Sequence, residues 1–293
     1  MRFGGFIITY NRPETLVQTI QEIFNQTYQP ELLWIIDNSE NLETDHVIAS
    51  LLDDRLKYYR MGYNSGPAGG AAKGLELCGE EGLDWIYWGD DNDPPFRLDC
   101  FERLLAIRDE NPFAGVLGTV GQFFDRKKGV IKRVQTQLLE KKEWIEVDYV
   151  AGGMSMLVSG KVAKEGIAPN IDLFFGFEEL DFCLKVSQKG YAILVDCSLF
   201  LEARKLHNRI DFERPTYHRK QNLNREYYSL RNLLMISDTM TFRSMKKRLQ
   251  VKWLMKSLYG FRHGIVYGGK NFRMIWLAFY HFWIGVKGKT IQI

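Results

Sequence analysis

Four short, largely apolar runs punctuate the first ninety residues: Phe6-Ile7-Ile8, Leu32 to Ile36, Leu56 to Tyr59 and Asp84 to Trp88. Runs of this length with little polar alternation read as strands buried on both faces of a sheet. Between them the period changes. After Asn11-Arg12-Pro13-Glu14, the apolar residues Leu16, Val17, Ile20, Ile23 and Phe24 fall at helical spacing. Asn11 is placed to cap that helix, Pro13 suits its first turn, and Glu14 favours its positive end. Gly66-Pro67-Ala68-Gly69-Gly70-Ala71-Ala72 opens another helix. Strands alternating with helices predict an α/β fold built on a mostly parallel sheet flanked by helices.

In such sheets ligands bind beyond the carboxyl ends of the strands. Three polar clusters lie there: Thr9 to Arg12, Asp37-Asn38-Ser39 and Asp90 to Asp93. They should converge on one crevice. The last is the most informative, because an apolar run, Trp85-Ile86-Tyr87-Trp88, ends in Gly89-Asp90-Asp91-Asn92-Asp93-Pro94-Pro95. Clustered carboxylates at a strand end are costly unless a cation or positive ligand balances them. Asp91 and Asp93, one residue apart, have the spacing that holds a divalent metal against a nucleotide diphosphate. An ordinary turn before a proline also yields an acidic loop.

The middle of the chain predicts strands at Val116 to Val120, Val130 to Gln135 and Trp144 to Val150, then a tight backbone approach at Ala151-Gly152-Gly153-Met154-Ser155. A helix is expected over Glu178 to Gln188, with Leu180, Cys183, Leu184 and Ser187 on its inner face and Gly190 stopping it. Ala192 to Val195 reads as a strand. From Asn222 the pattern is helical to the end, broken near Gly260 and at Gly268-Gly269.

Charge divides the chain unevenly. The net charge is +3, yet no Asp or Glu follows Asp238, and eleven of the 39 basic residues lie beyond it. The remaining 28 basic residues face all 36 acidic ones, a net −8 for the body. A basic, aromatic tail on an acidic body suits an anionic partner such as a membrane face or a lipid-linked phosphate. No recognised motif supports nucleic acid. Arg243 to Lys256 mixes cations with Leu, Val, Trp and Met at near-helical intervals, and Phe272 to Trp283 adds an interfacial set of aromatics. The alternative is a basic helical subdomain packed on the body. Met274 to Val286, the longest uncharged apolar run, is shorter than the ~20 residues of a spanning helix. Cys78, Cys100, Cys183 and Cys197 show no C-x-x-C spacing, and the first residues lack a signal-peptide pattern. A cytoplasmic protein, peripheral at the inner face of the membrane, is expected.

The chain resembles the family 2 glycosyltransferases, which have the GT-A fold, over about residues 3–232. The resemblance rests on Ile7 to Arg12, Trp34 to Ser39, Asn64 to Gly70, the Asp90–Asp93 cluster and Gly152-Gly153-Met154. It continues through Phe174-Phe175-Gly176-Phe177-Glu178-Glu179-Leu180-Asp181 and Tyr227-Tyr228-Ser229-Leu230-Arg231-Asn232. Within the family the pattern is similar to bacterial rhamnosyl- and galactofuranosyltransferase-like members that build surface polysaccharides. It implies a GT-A, Rossmann-like domain over residues 1–221 and a helical basic extension over 222–293.

The resemblance also implies roles. Thr9, Tyr10 and Arg12 would line the base and ribose of a UDP- or dTDP-sugar, with Asp37 accepting from the base. Asn64 and Gly66 to Gly70, Gly69 among them, would let backbone approach the nucleotide at a helix N-terminus, next to Asp90 and Asp91. Asp91, Asp93 and His207 would hold Mn²⁺ or Mg²⁺, with His218 competing for the histidine role. Gly152, Gly153 and Glu178 would face a saccharide or lipid-linked saccharide acceptor. Glu179 falls on the position of the base for inverting transfer, normally Asp, with Asp181 in reserve; Arg231 would serve the diphosphate or brace its helix. Relatives commonly carry three consecutive aspartates, which Gly89 and Asn92 interrupt here. That departure leaves open which carboxylates touch metal. It also keeps a rival in view: a non-catalytic nucleotide- or saccharide-binding module with a decayed site.

Overall fold

The apolar runs become the central strands of a sheet. In the computed structural model, which describes residues 1–152, 154–210 and 219–292, the chain begins with a regular alternation. It runs β1 (Phe3–Thr9), α1 (Pro13–Phe24), β2 (Leu33–Asp37), α2 (Glu43–Ser50), β3 (Leu56–Arg60), α3 (Gly66–Glu80), β4 (Trp85–Asp90), α4 (Cys100–Glu110) and β5 (Ala114–Gly118). The middle supplies β6 (Gly121–Asp125), β7 (Val130–Lys132), α5 (Thr136–Leu139), β8 (Trp144–Glu146), β9 (Tyr149–Val150), β10 (Met156–Ser159), α6 (Gly160–Lys164), α7 (Glu178–Gln188), β11 (Ala192–Asp196) and α8 (Cys197–Leu206). The C-terminal region is helical: α9 (Leu223–Thr239), α10 (Arg243–Tyr259) and α11 (Ile265–Trp283).

Eight strands form one sheet in the order β3-β2-β1-β4-β10-β5-β11-β8. β1 pairs in parallel with β2 and β4, β2 with β3, and β5 with β11; β10 runs antiparallel between β4 and β5. A second sheet, β7-β6-β9, stands beside it. Alternate residues of each strand feed opposite layers, as a pleat requires. Phe6 and Ile8 pack with α3, α7 and the C-terminal helices, whereas Phe3 and Ile7 pack with α1 and α4. The expected mostly parallel α/β sheet, flanked by helices and extended by a helical tail, is what the chain adopts.

Several local expectations need correction. Asn11 does not cap α1; it sits in the left-handed region at φ 53° and donates its N–H to Ser39 Oγ, while Arg12 occupies the cap position. The strand expected at 130–135 stops at Lys132, and the one expected at 144–150 divides into β8 and β9, which join different sheets. The tail does break at Gly260, where a 3-10 turn spans Gly260–His263, but α11 runs through Gly268-Gly269 without interruption. A Cβ on Gly268 would lie 2.5 Å from the Phe261 ring, so glycine there admits the preceding turn instead of ending the helix. Met245, Leu249 and Trp253 of α10 and Ile275, Ala278 and Phe279 of α11 join the main core cluster. No helix among the described residues is long and apolar enough to cross a membrane.

Candidate active site

The sheet order reverses between β1 and β4: the chain steps outward from β1 to β2 and β3, then returns to β1's other side. That switch point is where such sheets bind ligands, and side chains staple it together. Asp91, 5% exposed, accepts from Thr9 Oγ1 at 2.9 Å, from the Tyr10 N–H at 3.4 Å and from Arg12 at 3.4 Å. Its own carbonyl accepts from Thr19 Oγ1. The next strand end is tied similarly. Asp37 is fully buried, with one oxygen accepting from the Ser39 N–H and the other from the Tyr58 hydroxyl. Asn38 accepts from both N–H and Oγ of Ser65 and donates to the Gly66 carbonyl, joining β2 to the start of α3. Tyr10 and the Arg12 side chain remain exposed at the crevice.

The glycines of α3 have packing work. A Cβ at Gly70 would lie 2.8 Å from Ile8, at Gly74 2.3 Å from Phe6, and at Gly69 2.5 Å from Ser65. Gly66 has φ +71° and no room beside the Phe174 carbonyl; its N–H donates to Asn64 Oδ1. The glycine run therefore lets α3 lie close against β1 while its first turn stays at the crevice.

At the end of β4, Asp90 and Asp93 meet Gly152, Met154 and Glu179 around a cavity of about 20 Å³. Burial first, then the carboxylates of Glu179, Asp91 and Asp93, pushes the Asp90 carboxyl up to about 7. Asp93, at the mouth, is raised by partial burial and by Asp91, with His207 partly offsetting it. Glu179 is raised by burial. Glu178 lies well above the usual range because it is buried beside Glu179 and Asp90, and its Oε2 has no hydrogen-bond partner among the described residues. Asp91, by contrast, does not line this cavity; its oxygens serve Thr9, Tyr10 and Arg12.

These features fit a divalent cation. The space suits one ion or one water, and Asp90 and Asp93 present hard oxygen donors whose mutual repulsion a cation would relieve. No three His, Cys, Asp or Glu side chains among the described residues already form a cage.

Glu178 and Glu179 open α7 from an unusual loop. Phe174, Gly176 and Phe177 all have positive φ, and the Phe177 cap position at φ 69° is left-handed. Strain of this kind persists where the surroundings over-determine it, and here the tail does so. Asn232 Nδ2, fully buried, donates to the carbonyls of Leu173, Phe175 and Gly176. Arg231, also fully buried, donates to the carbonyls of Asp172, Leu173 and Gly288 and to Thr290 Oγ1. Arg231 thus braces the loop rather than reaching the crevice. Asp181 accepts from the Asn170 N–H at 2.8 Å and pairs with Lys185 at 2.6 Å, both through Oδ2, while its Oδ1 is buried with no hydrogen-bond partner among the described residues.

Gly152 meets Glu179 across the cavity, while Gly153 and His218 lie outside the described residues. His207 ends α8 and lines an adjoining cavity of about 310 Å³, which shares Met154 with the acidic one. Sequence reasoning missed the scaffold of Asn38, Ser39 and Tyr58 and the arginines of that second cavity. Asn38 and Ser39 were visible as a polar strand end; Arg133, Arg204 and Arg209 carry no local signal, because only the fold brings them together.

Comparison with known proteins bears on this geometry. Galactofuranosyltransferase GlfT1 of Mycolicibacterium smegmatis is 21% identical over 196 residues, 63% of this chain and 65% of that protein. The chain therefore spans just under two thirds of that relative's length. Among solved structures, S. aureus TarS in complex with UDP superposes with a TM-score of 0.54 at 15% identity, covering 90% of this chain and 75% of that one. The mannosyltransferase PcManGT from Pyrobaculum calidifontis, in complex with GDP-Man and Mn²⁺, gives 0.53 at 12%, covering 96% and 75%. These likenesses are of fold. The family description "Glycosyl transferase family 2" matches residues 6–160, which is more than half the chain and runs from β1 through β10, with Asp90, Asp93 and Gly152 inside it and Glu179 beyond it, so this protein belongs to glycosyl transferase family 2.

Proposed function

We propose that the chain is an inverting glycosyltransferase that moves a sugar from a nucleotide diphosphate to a saccharide acceptor. The observation supporting this most is the grouping of Asp90, Asp93 and Glu179 around one small cavity at the sheet's switch point. In this reading the nucleoside lies over Thr9, Tyr10, Arg12 and the Asp37 strand end, near Asn64 and Gly69. Asp90 and Asp93 hold Mn²⁺ or Mg²⁺ beside the diphosphate, with His207 near, and Asp91 fixes the walls of the crevice. Bound there, the metal would offset charge on the departing diphosphate.

Glu179 is the base. Its carboxylate takes the acceptor hydroxyl's proton as that oxygen bonds to the anomeric carbon and the bond to the phosphate oxygen breaks. Burial raises its pKa, which strengthens it as a base. Glu178 and Gly152 border the acceptor, and Asp181 holds the loop behind Glu179. GlfT1 supports galactofuranose as a donor sugar and TarS supports uridine as its base; galactose and rhamnose are the alternatives, in surface polysaccharide synthesis.

Residues 1–221 would carry this chemistry and 222–293 would hold the enzyme peripherally on the cytoplasmic face of the membrane. Val251, Leu254, Met255 and Leu258 form an exposed apolar stripe on α10, opposite its buried stripe, and Trp276, Tyr280 and Trp283 form another on α11. Surrounding lysines and arginines, with no acid after Asp238, suit anionic headgroups.

Glu179→Gln tests the core of the reading. Transfer should fall by about a thousandfold or more, within the contribution of a general base and its replacement by a non-basic amide, while donor affinity stays near wild type. Loss of transfer together with donor binding would make Glu179 structural.

A further inference from the structure

Three buried hydroxyls, those of Thr44, Tyr87 and Thr119, have no hydrogen-bond partner among the described residues, and of these only Tyr87 lines the acidic cavity. Tyr87 is fully buried in β4, its ring tilted against Phe101 with 4.8 Å between centroids. A phenylalanine would fill that space equally well and strand no polar atom. A buried hydroxyl with its bond unmade carries a desolvation cost, so its presence calls for a partner that the folded chain does not itself supply.

Gly89 provides the second observation. It lies two residues further along β4, on the same face as Tyr87, and it too lines the cavity. A Cβ there would lie 2.5 Å from Tyr87 Cε1 and 2.6 Å from the hydroxyl oxygen. Gly89 does not have a positive φ, so the backbone does not demand glycine. The tip of the tyrosine does. The hydroxyl therefore takes the place that a side chain at 89 would hold next to Asp90. It brings hydrogen-bonding capacity without charge to a cavity where Asp90, Asp93 and Glu179 already crowd like charges. Burial, then the carboxylates of Asp90 and Asp93, raise its pKa, so it stays a neutral O–H.

The space these groups enclose, about 20 Å³, admits one water. A hard divalent cation held by one or two carboxylates keeps several waters. Outer groups that bond the ligands of an ion commonly carry roughly ten- to a hundredfold of its affinity. This inference rests on the reading above that Asp90 and Asp93 hold a metal. We propose that Tyr87 is a positioning residue of that site: its hydroxyl hydrogen-bonds a water retained by the divalent cation, and so fixes where the ion sits.

The test is calorimetric titration of the intact protein with Mn²⁺, alone and with saturating UDP, dTDP and GDP in turn, alongside thermal melting without metal. Tyr87→Phe keeps the ring and removes only the hydroxyl. Mn²⁺ affinity should fall by about tenfold. The metal-free melting temperature should stay within roughly 2 °C of wild type or rise, since no bond within the chain is lost. Unchanged Mn²⁺ affinity overturns the inference and leaves the metal reading standing. A melting temperature several degrees lower also overturns it, because the hydroxyl would then have its partner within the fold. Wild-type protein that binds no Mn²⁺ under any of these conditions strikes the metal reading itself, and the role of Tyr87 with it.

Discussion

Gly152→Ala isolates the geometry on which catalysis is argued to depend. A Cβ at Gly152 would lie 2.2 Å from Glu179 Oε1 and 3.0 Å from its Cδ, and real Cβ atoms essentially never approach another atom closer than 3.0 Å. The carboxylate must therefore retreat by roughly 1 Å to reach ordinary contact. Gly152 does not have a positive φ, so alanine adds no backbone strain, and the displaced atom is the tip of a flexible side chain. Stability should change by less than about 0.5 kcal/mol, as for an uneventful surface substitution. Activity should not be spared. A misplacement of about 1 Å in a reacting group costs on the order of a hundredfold, or about 2.7 kcal/mol of barrier. The assay is single-turnover sugar transfer, with nucleotide affinity and melting temperature measured in parallel. Glu179→Asp, one methylene shorter, should relieve the collision, so the double variant should exceed Gly152→Ala by about tenfold despite carrying two changes. Full activity in Gly152→Ala, or a double variant no better than the single, would refute the placement of Glu179 at the reacting centre.

Other expectations follow from the same structure. The Asp90 carboxyl, at about 7 in the fold against 3.8 ordinarily, binds its proton more tightly folded than unfolded. Its contribution to stability is complete below the unfolded value and is lost as pH rises through about 7. The metal-free melting temperature should therefore fall between about pH 4 and pH 7, with Mn²⁺ restoring it more at the higher pH, and Asp90→Asn should flatten both responses. Asn232→Ala removes three bonds to the loop before α7 and should cost about 1–3 kcal/mol, with transfer falling more than donor affinity; unchanged transfer would deny the loop its positioning role. Arg231→Met should lower the melting temperature by roughly 6–12 °C, from about 3 kcal/mol of stranded polar groups. Leu254→Glu with Leu258→Glu should abolish cosedimentation with anionic vesicles at unchanged melting temperature; undiminished cosedimentation would remove α10 from the membrane reading.

Much of the donor half was legible because its signals are local. Leu16, Ile20 and Ile23 mark a helix by spacing alone, and the acids after Trp88 mark a strand end by contrast. What the sequence could not separate was which acid faces which way. Asp90, Asp91 and Asp93 are neighbours in the chain, but the end of β4 turns Asp91 toward Thr9 and leaves Asp90 and Asp93 on the cavity. Asn11 looked like a cap because its residue type favours caps; the crevice instead holds it at positive φ against Ser39. Gly268-Gly269 reads as a break because glycine weakens helices, yet α11 runs through the pair, and Gly268 leaves room for Phe261. Arg231 and Asn232 were legible as a motif but not as a brace, since their partners at 172–176 lie far away in sequence. The arginine cavity was hidden for the same reason: Arg133 follows β7, whereas Arg204 lies on α8.

The most direct measurement is donor turnover by the purified protein across UDP-, dTDP- and GDP-sugars, with and without Mn²⁺. The account predicts metal-dependent release of nucleotide from one donor, abolished by Glu179→Gln with nucleotide binding retained. No turnover of any donor, with no nucleotide bound, would contradict it and favour a binding module whose site has decayed.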